Sequence, residues 1–112
     1  MPDSELIFAS ARALAQAIRA KQVSSSEVVH ACLERIAAVN PRLNAVVQVM
    51  AETARAQARA ADAALARGEV WGPLHGVPVT IKDSLDTAGV ITTGGTHGRR
   101  AYVPAQDAPA VA

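Results

Sequence analysis

The sequence predicts an α/β fold, because three segments with helical periodicity alternate with two valine-rich runs that are bounded by turn residues. The first run, 44–50, is apolar almost throughout, which places it inside a covered sheet in preference to a half-wet edge. At 112 residues the chain is in the size range of one small domain.

The first helix is expected over about 8–20, where Leu14 and Ile18 lie one turn apart with Ala between them. A polar break follows at Lys21. Ser24 and Glu27 then have the spacing of a capping box, and a second helix over about 25–39 carries Val28, Val29, Cys32, Leu33, Ile36 and Val39 at intervals of three and four. Asn40-Pro41 is expected to stop it. Residues 44–50 form the first candidate strand, and 51–67, built from strong helix formers, the third helix, ended by Gly68. The turn Trp71-Gly72-Pro73-Leu74-His75-Gly76 leads into the second candidate strand, 77–82, with Pro78 at its start or beside a bulge. Asp107 is placed as an N-cap of a helix that begins over 107–112 and is only about one turn long, too short to be stable by itself. Two strands are also too few to cover three helices. The sequence is therefore expected to be an incomplete piece of a larger sheet.

Composition narrows the function classes. The hydrophobic fraction of 50% excludes a disordered or fibrous chain, yet the aromatics are only Phe8, Trp71 and Tyr102, and alanine buries little area per residue. A net charge of +1, with Arg99-Arg100 the only basic doublet, offers no stripe for a polyanion, so no direct nucleic-acid partner is expected. The single cysteine, Cys32, lies on an apolar helix stripe and reads as packing. No secretory signal and no membrane-length apolar run is present, which gives no membrane partner and points to a reducing compartment, most simply the cytoplasm.

The lysine at position 82 is the main candidate for chemistry. It follows the second candidate strand at its carboxyl end, where open sheets place ligand-contacting groups, and partial burial there would disfavour its ammonium form. The rival is a salt-bridged lysine at a strand end. Asp83 and Asp86 are three apart and suit turn capping better than a metal site, and His30, His75 and His97 are scattered without a metal-type cluster. No metal or cofactor is expected. The stretch Thr92-Thr93-Gly94-Gly95-Thr96 carries backbone donors suited to an anion or carbonyl, although it matches no phosphate loop.

The residues Gly72-Pro73-Leu74-His75-Gly76-Val77-Pro78-Val79-Thr80-Ile81-Lys82-Asp83, with Asp86, Gly89 and Thr92-Thr93-Gly94-Gly95, resemble the lysine-bearing segment of the amidase signature family. Ser24 to Val29, Glu34-Arg35-Ile36, Asn40 to Ala45, Tyr102-Val103-Pro104 and Asp107-Ala108 are similar to that family in kind and order. The resemblance implies a mixed central sheet wrapped by helices, and hydrolysis by a lysine and two serines. Lys82 matches the lysine, which acts as base. A first serine relays the proton from a second, which attacks the amide carbon; an amine or ammonia leaves, and water resolves the acyl-enzyme.

Both serines of that pattern are expected beyond Ala112, and Ser84 is too near Lys82 to stand for either. The resemblance therefore implies a parent amidase to which this fragment contributes only Lys82, acting on a small-molecule amide without a cofactor. A homo-oligomer, or amidotransferase partner subunits, is the assembly it implies. The alternative is a non-catalytic truncated or assembly fragment that pairs with a partner chain through an unpaired strand edge. A Schiff-base role for Lys82 would need an aldehyde or cofactor site, for which the sequence offers nothing.

Overall fold

Ser10 divides the first helical stretch. In the computed structural model, which describes every residue from Met1 to Ala112, the helix expected over about 8–20 is α2, Ala11–Arg19, and a separate short helix outside that expectation, α1, Asp3–Phe8, precedes it. Ala9 is extended, and the Ser10 side chain accepts from the Ala13 N–H at 3.1 Å, a cap that starts a new helix. At the far end of α2, Lys21 takes a left-handed conformation (φ 58°) while its N–H donates to Ile18 and that of Gln22 to Ala17. This is a Schellman closure with lysine where glycine is usual.

Helix α3, Ser25–Leu43, begins at the capping box. Ser24 Oγ accepts from the Glu27 N–H at 3.0 Å, and the Glu27 carboxylate accepts from the Ser24 N–H at 2.7 Å. The Ser24 N–H, followed by the Ser24 hydroxyl, donates to the carboxylate and holds the Glu27 carboxyl below its usual range. A second carboxylate comes from α4, Ala51–Ala66: Asp62 accepts from the Ser25 N–H at 2.7 Å, the Ser26 N–H at 3.0 Å and the Ser26 hydroxyl at 2.6 Å. The exposed donors of the first turn of α3 are thus satisfied, and a negative group sits at the positive end of the helix dipole. Helix α4 ends in the same closure as α2, with Gly68 at φ 80°.

The chain divides into two units, Met1–Pro78 and Val79–Ala112. In the first, α3 packs against both α1 and α4. Its core is Leu6, Leu14, Ala17, Ile18, Val23, Val28 and Ala31, with Cys32, Leu65 and Val77 partly buried against it. Ile18 and Val28, the largest fully buried apolar side chains, each contribute about 1.5–3 kcal/mol through removal from water. Ala58, Ala61 and Ala64 form the buried stripe of α4, and small residues there allow close approach of a neighbouring helix. No helix is long and apolar enough to cross a membrane.

No strand forms in the 112 residues, so the expected α/β domain with a mixed central sheet is corrected to helices followed by irregular structure. A strand needs a neighbour to take its N–H and C=O groups, and in each run a local bond takes some of them instead. Over 44–50, helix α3 first overruns its expected stop, continuing through Pro41 to Leu43, and Asn44 closes it with φ 49°. The Asn40 carboxamide then donates to Val46 O and accepts from Val46 N–H, both at 2.9 Å. Both backbone groups of Val46 are therefore occupied by one side chain. Over 77–82, Val77 donates to Leu74 in a turn at 3.0 Å, Pro78 has no donor, and Val79 is 73% exposed.

The second unit, Val79–Ala112, has one 3-10 turn, His97–Arg99, and is otherwise held by single bonds. Gly89 N–H reaches Pro104 O at 3.0 Å, Thr92 N–H reaches Tyr102 O at 2.9 Å, and Ala108 N–H reaches Asp86 O at 2.8 Å. The helix expected to begin over 107–112 is a turn. Asp107 does not cap it; its carboxylate accepts instead from the Ala88 N–H at 2.7 Å.

Two substitutions test the helical unit. Asp62→Ala leaves the Ser25 and Ser26 donors unpaired and is expected to lower unfolding stability by about 2–3 kcal/mol in a denaturant titration. Gly76→Ala is expected to be comparably damaging: Gly76 has φ 77°, and an added Cβ would lie 3.0 Å from Ser25 Cβ and 3.3 Å from Ile18 Cγ2. A wild-type midpoint for either variant would contradict the packing described.

Candidate functional site

The turn at 71–76 is fixed from inside the helical unit. His75 is buried; its Nδ1 accepts from the Trp71 N–H at 3.0 Å, so its Nε2 carries the proton that Ala61 O receives at 2.9 Å. The Ser25 hydroxyl, also buried, donates to Gly76 O at 2.6 Å. The Trp71 and His75 rings lie 5.0 Å apart, tilted by 56°. These contacts give His75 and Gly76 structural roles in this unit.

Lys82 belongs to the second unit. It is exposed, it ends no strand, and no carboxylate lies within salt-bridge distance of it; the ion pairs are Arg55–Glu52, Arg67–Glu69 and Arg99–Asp86. The expected placement at the carboxyl end of a buried strand is therefore corrected, and so is the rival reading as a salt-bridged lysine. Its main chain is nonetheless fixed: Lys82 O accepts from the Leu85 N–H at 2.9 Å, closing a tight turn over 82–85.

Asp83 joins that turn to the hydroxyl-rich stretch. Its carboxylate accepts from the Thr93 N–H at 2.8 Å and, through the other oxygen, from the Thr93 hydroxyl, while Asp83 O accepts from the Gly94 N–H at 2.9 Å. The Gly95 N–H in turn donates to Thr93 Oγ1 at 3.0 Å. The Thr93 hydroxyl bond, followed by the Thr93 N–H bond, holds the Asp83 carboxyl below its ordinary range. The donors at 93–95 are all occupied, so the stretch is not an open cradle for an anion or carbonyl in this structure.

Asp86 lies apart from Asp83 in function. It pairs with Arg99 at 3.5 Å, and the Arg99 guanidinium stacks 4.5 Å from the centre of the Tyr102 ring. No group of three or more His, Cys, Asp or Glu side chains stands together as metal ligands would. Cys32 is partly buried on α3, and burial pushes its thiol up, away from the reactive thiolate. Asp62, Ser25 and the paired contacts of His75 carry much of the order in the helical unit, and sequence spacing gives no sign of the long-range partners at Ser25 and Asp62. Thr93 stands out in the sequence only for its hydroxyl-rich setting, with nothing to mark Asp83 as its partner.

A family model described as Amidase matches residues 27–112. Among curated relatives, a Glutamyl-tRNA(Gln) amidotransferase subunit of Carboxydothermus hydrogenoformans is 44% identical over 107 residues, covering 96% of this chain and 22% of the relative. The subunit of the same name from Anaeromyxobacter sp. is 46% identical over 110 residues, covering 98% of this chain and 22% of the relative. A Mycobacterium tuberculosis protein carrying the name amidase AmiD is 46% identical over 99 residues, covering 88% and 21%. The chain thus spans about a fifth of the length of the relatives it matches.

The lowered Asp83 carboxyl gives a pH test. A folded pKa below the unfolded one means that the stabilisation is complete above the ordinary aspartate range and is lost as pH falls through the depressed folded value. The Thr93 amide proton, followed by NMR, is expected to stay shifted downfield between about pH 6 and 8 and to move upfield only in strong acid. A midpoint at or above the ordinary aspartate value would contradict the bonding described.

Proposed function

Because the chain belongs to the amidase family, we propose that Lys82 is the catalytic base of an amide hydrolase, and that the two serines of the mechanism come from the rest of a longer protein. The observation that carries this reading is the family match across 27–112, which includes the complete segment Gly72–Asp83 with Lys82 in it. The coverage of about a fifth of each relative supports the longer parent.

The chemistry follows from what an amine can do. A serine hydroxyl is a weak nucleophile until a neighbouring base takes its proton. In the proposed cycle the neutral Lys82 amine takes a proton from the bridging serine, which takes one from the nucleophilic serine. The freed oxygen bonds to the amide carbon, and the C–N bond then breaks as the leaving nitrogen receives a proton back through the same relay. Water repeats the sequence on the ester, releasing the acid and restoring the serine. No carboxylate is paired with the Lys82 amine. Cover that excludes water favours the neutral form of an amine, and in the longer protein that cover would come from outside these residues.

The substrate class is a small-molecule amide, and no cofactor is required. Relatives named as amidotransferase subunits favour a second reading, in which the nitrogen released is ammonia and is passed to a partner protein. The cytoplasm is the proposed compartment, in keeping with a free cysteine.

The test is ammonia release from glutamine and from simple aliphatic and aryl amides by the full-length protein. Lys82→Met is expected to lower kcat by about 100- to 10,000-fold without altering the thermal midpoint. Activity within about threefold of wild type would remove Lys82 from the mechanism.

A further inference from the structure

The residue beside the proposed base carries more structure than the base does. Lys82 makes no side-chain ion pair, whereas the Asp83 carboxylate receives two bonds from Thr93 and its carbonyl receives a third from Gly94. The Thr93 hydroxyl donates to Asp83 and accepts from the Gly95 N–H, so its proton has a defined direction. With the Leu85 bond to Lys82 O, the main chain on the carboxyl side of the lysine is held from two directions.

We propose that Asp83 is a positioning residue for Lys82, acting through Thr93 to fix the backbone from which the lysine amine is presented. The proposal rests on the reading of Lys82 as base. Other roles for Asp83 fit the geometry less well. A counter-ion to Lys82 would put the carboxylate on the amine, yet no such pair forms. A metal ligand would need neighbours, and there is no cluster of ligating side chains. A general base would need a free lone pair facing substrate, whereas both carboxylate oxygens face Thr93.

A flexible side chain can reach its target only as reliably as its main chain is held, and misplacement by about 1 Å costs on the order of 100-fold in rate. Thr93 is the other half of the device. Serine at 93 keeps both the hydroxyl and the N–H, and valine keeps only the N–H.

The test uses the full-length enzyme, with ammonia release as readout, and the 112-residue chain for NMR. Asp83→Asn and Thr93→Val are each expected to lower kcat about 10- to 100-fold with KM changed less than about threefold, and Thr93→Ser to stay within about threefold of wild type. The double variant Asp83→Asn/Thr93→Val is expected to be no slower than the slower single one, because both act on the same Asp83–Thr93 linkage. In the 112-residue chain, the downfield Thr93 amide proton is expected to move upfield in Asp83→Asn. If Asp83→Asn does not fold, the contrast between Thr93→Val and Thr93→Ser decides. A wild-type kcat for Thr93→Val, or an equal loss for Thr93→Ser, overturns the positioning role. So does a double variant whose losses multiply. Full activity in Lys82→Met removes the underlying reading instead, whereas an inactive Lys82→Met beside a fully active Asp83→Asn removes only the role of Asp83.

Discussion

Backbone N–H and C=O groups withdrawn from water must find a partner, and at several points of this chain a carboxylate or carboxamide side chain supplies it in place of a sheet. Asp62 holds the start of α3, Asn40 holds Val46, Asp83 holds Thr93, and Asp107 holds Ala88. Each bond joins residues that are distant or differently folded, so each does what a ladder bond would otherwise do. The helical unit depends most on Asp62, because that one carboxylate ties α4 to α3 and sits at the helix end where negative charge is favoured.

The same constraint shapes the lysine segment. Lys82 is exposed, and its position comes from its neighbours: a turn closed on its own carbonyl and a carboxylate at the next residue. The main chain that carries the lysine is thus held without any ion pair to its amine. Preorganisation of that kind reduces the ordering that must accompany binding. The chain belongs to the amidase family, and the geometry shows which groups beside Lys82 are already committed.

Local signals in the sequence are legible where the physics is local. The capping box at Ser24 and Glu27 needs only a spacing of three, and Gly68 needs only a helix before it. The start of α2 at Ser10 escapes such a reading because Phe8 and Ala9 before it extend the helical pattern, and a single serine in it looks like an ordinary surface residue. The two valine-rich runs fail as strands for a different reason. Propensity describes how a segment would fit a sheet, and it carries no information about whether a neighbour is present. The lysine is found through its motif, while the Asp83–Thr93 linkage spans ten residues of turn structure that no periodicity describes.

The Asn40 clasp on Val46 has one more consequence. Val46, Val47, Val49 and Met50 make a short uncharged run of high β-propensity, and three of these, Val47, Val49 and Met50, are exposed. Such a run is the kind of template on which identical chains stack into fibrils. With both polar groups of Val46 closed by a side chain from α3, a stacking neighbour would meet a gap in the middle of the run. The Asn40 side chain thus takes Val46 out of the set of backbone groups that such a neighbour could pair with.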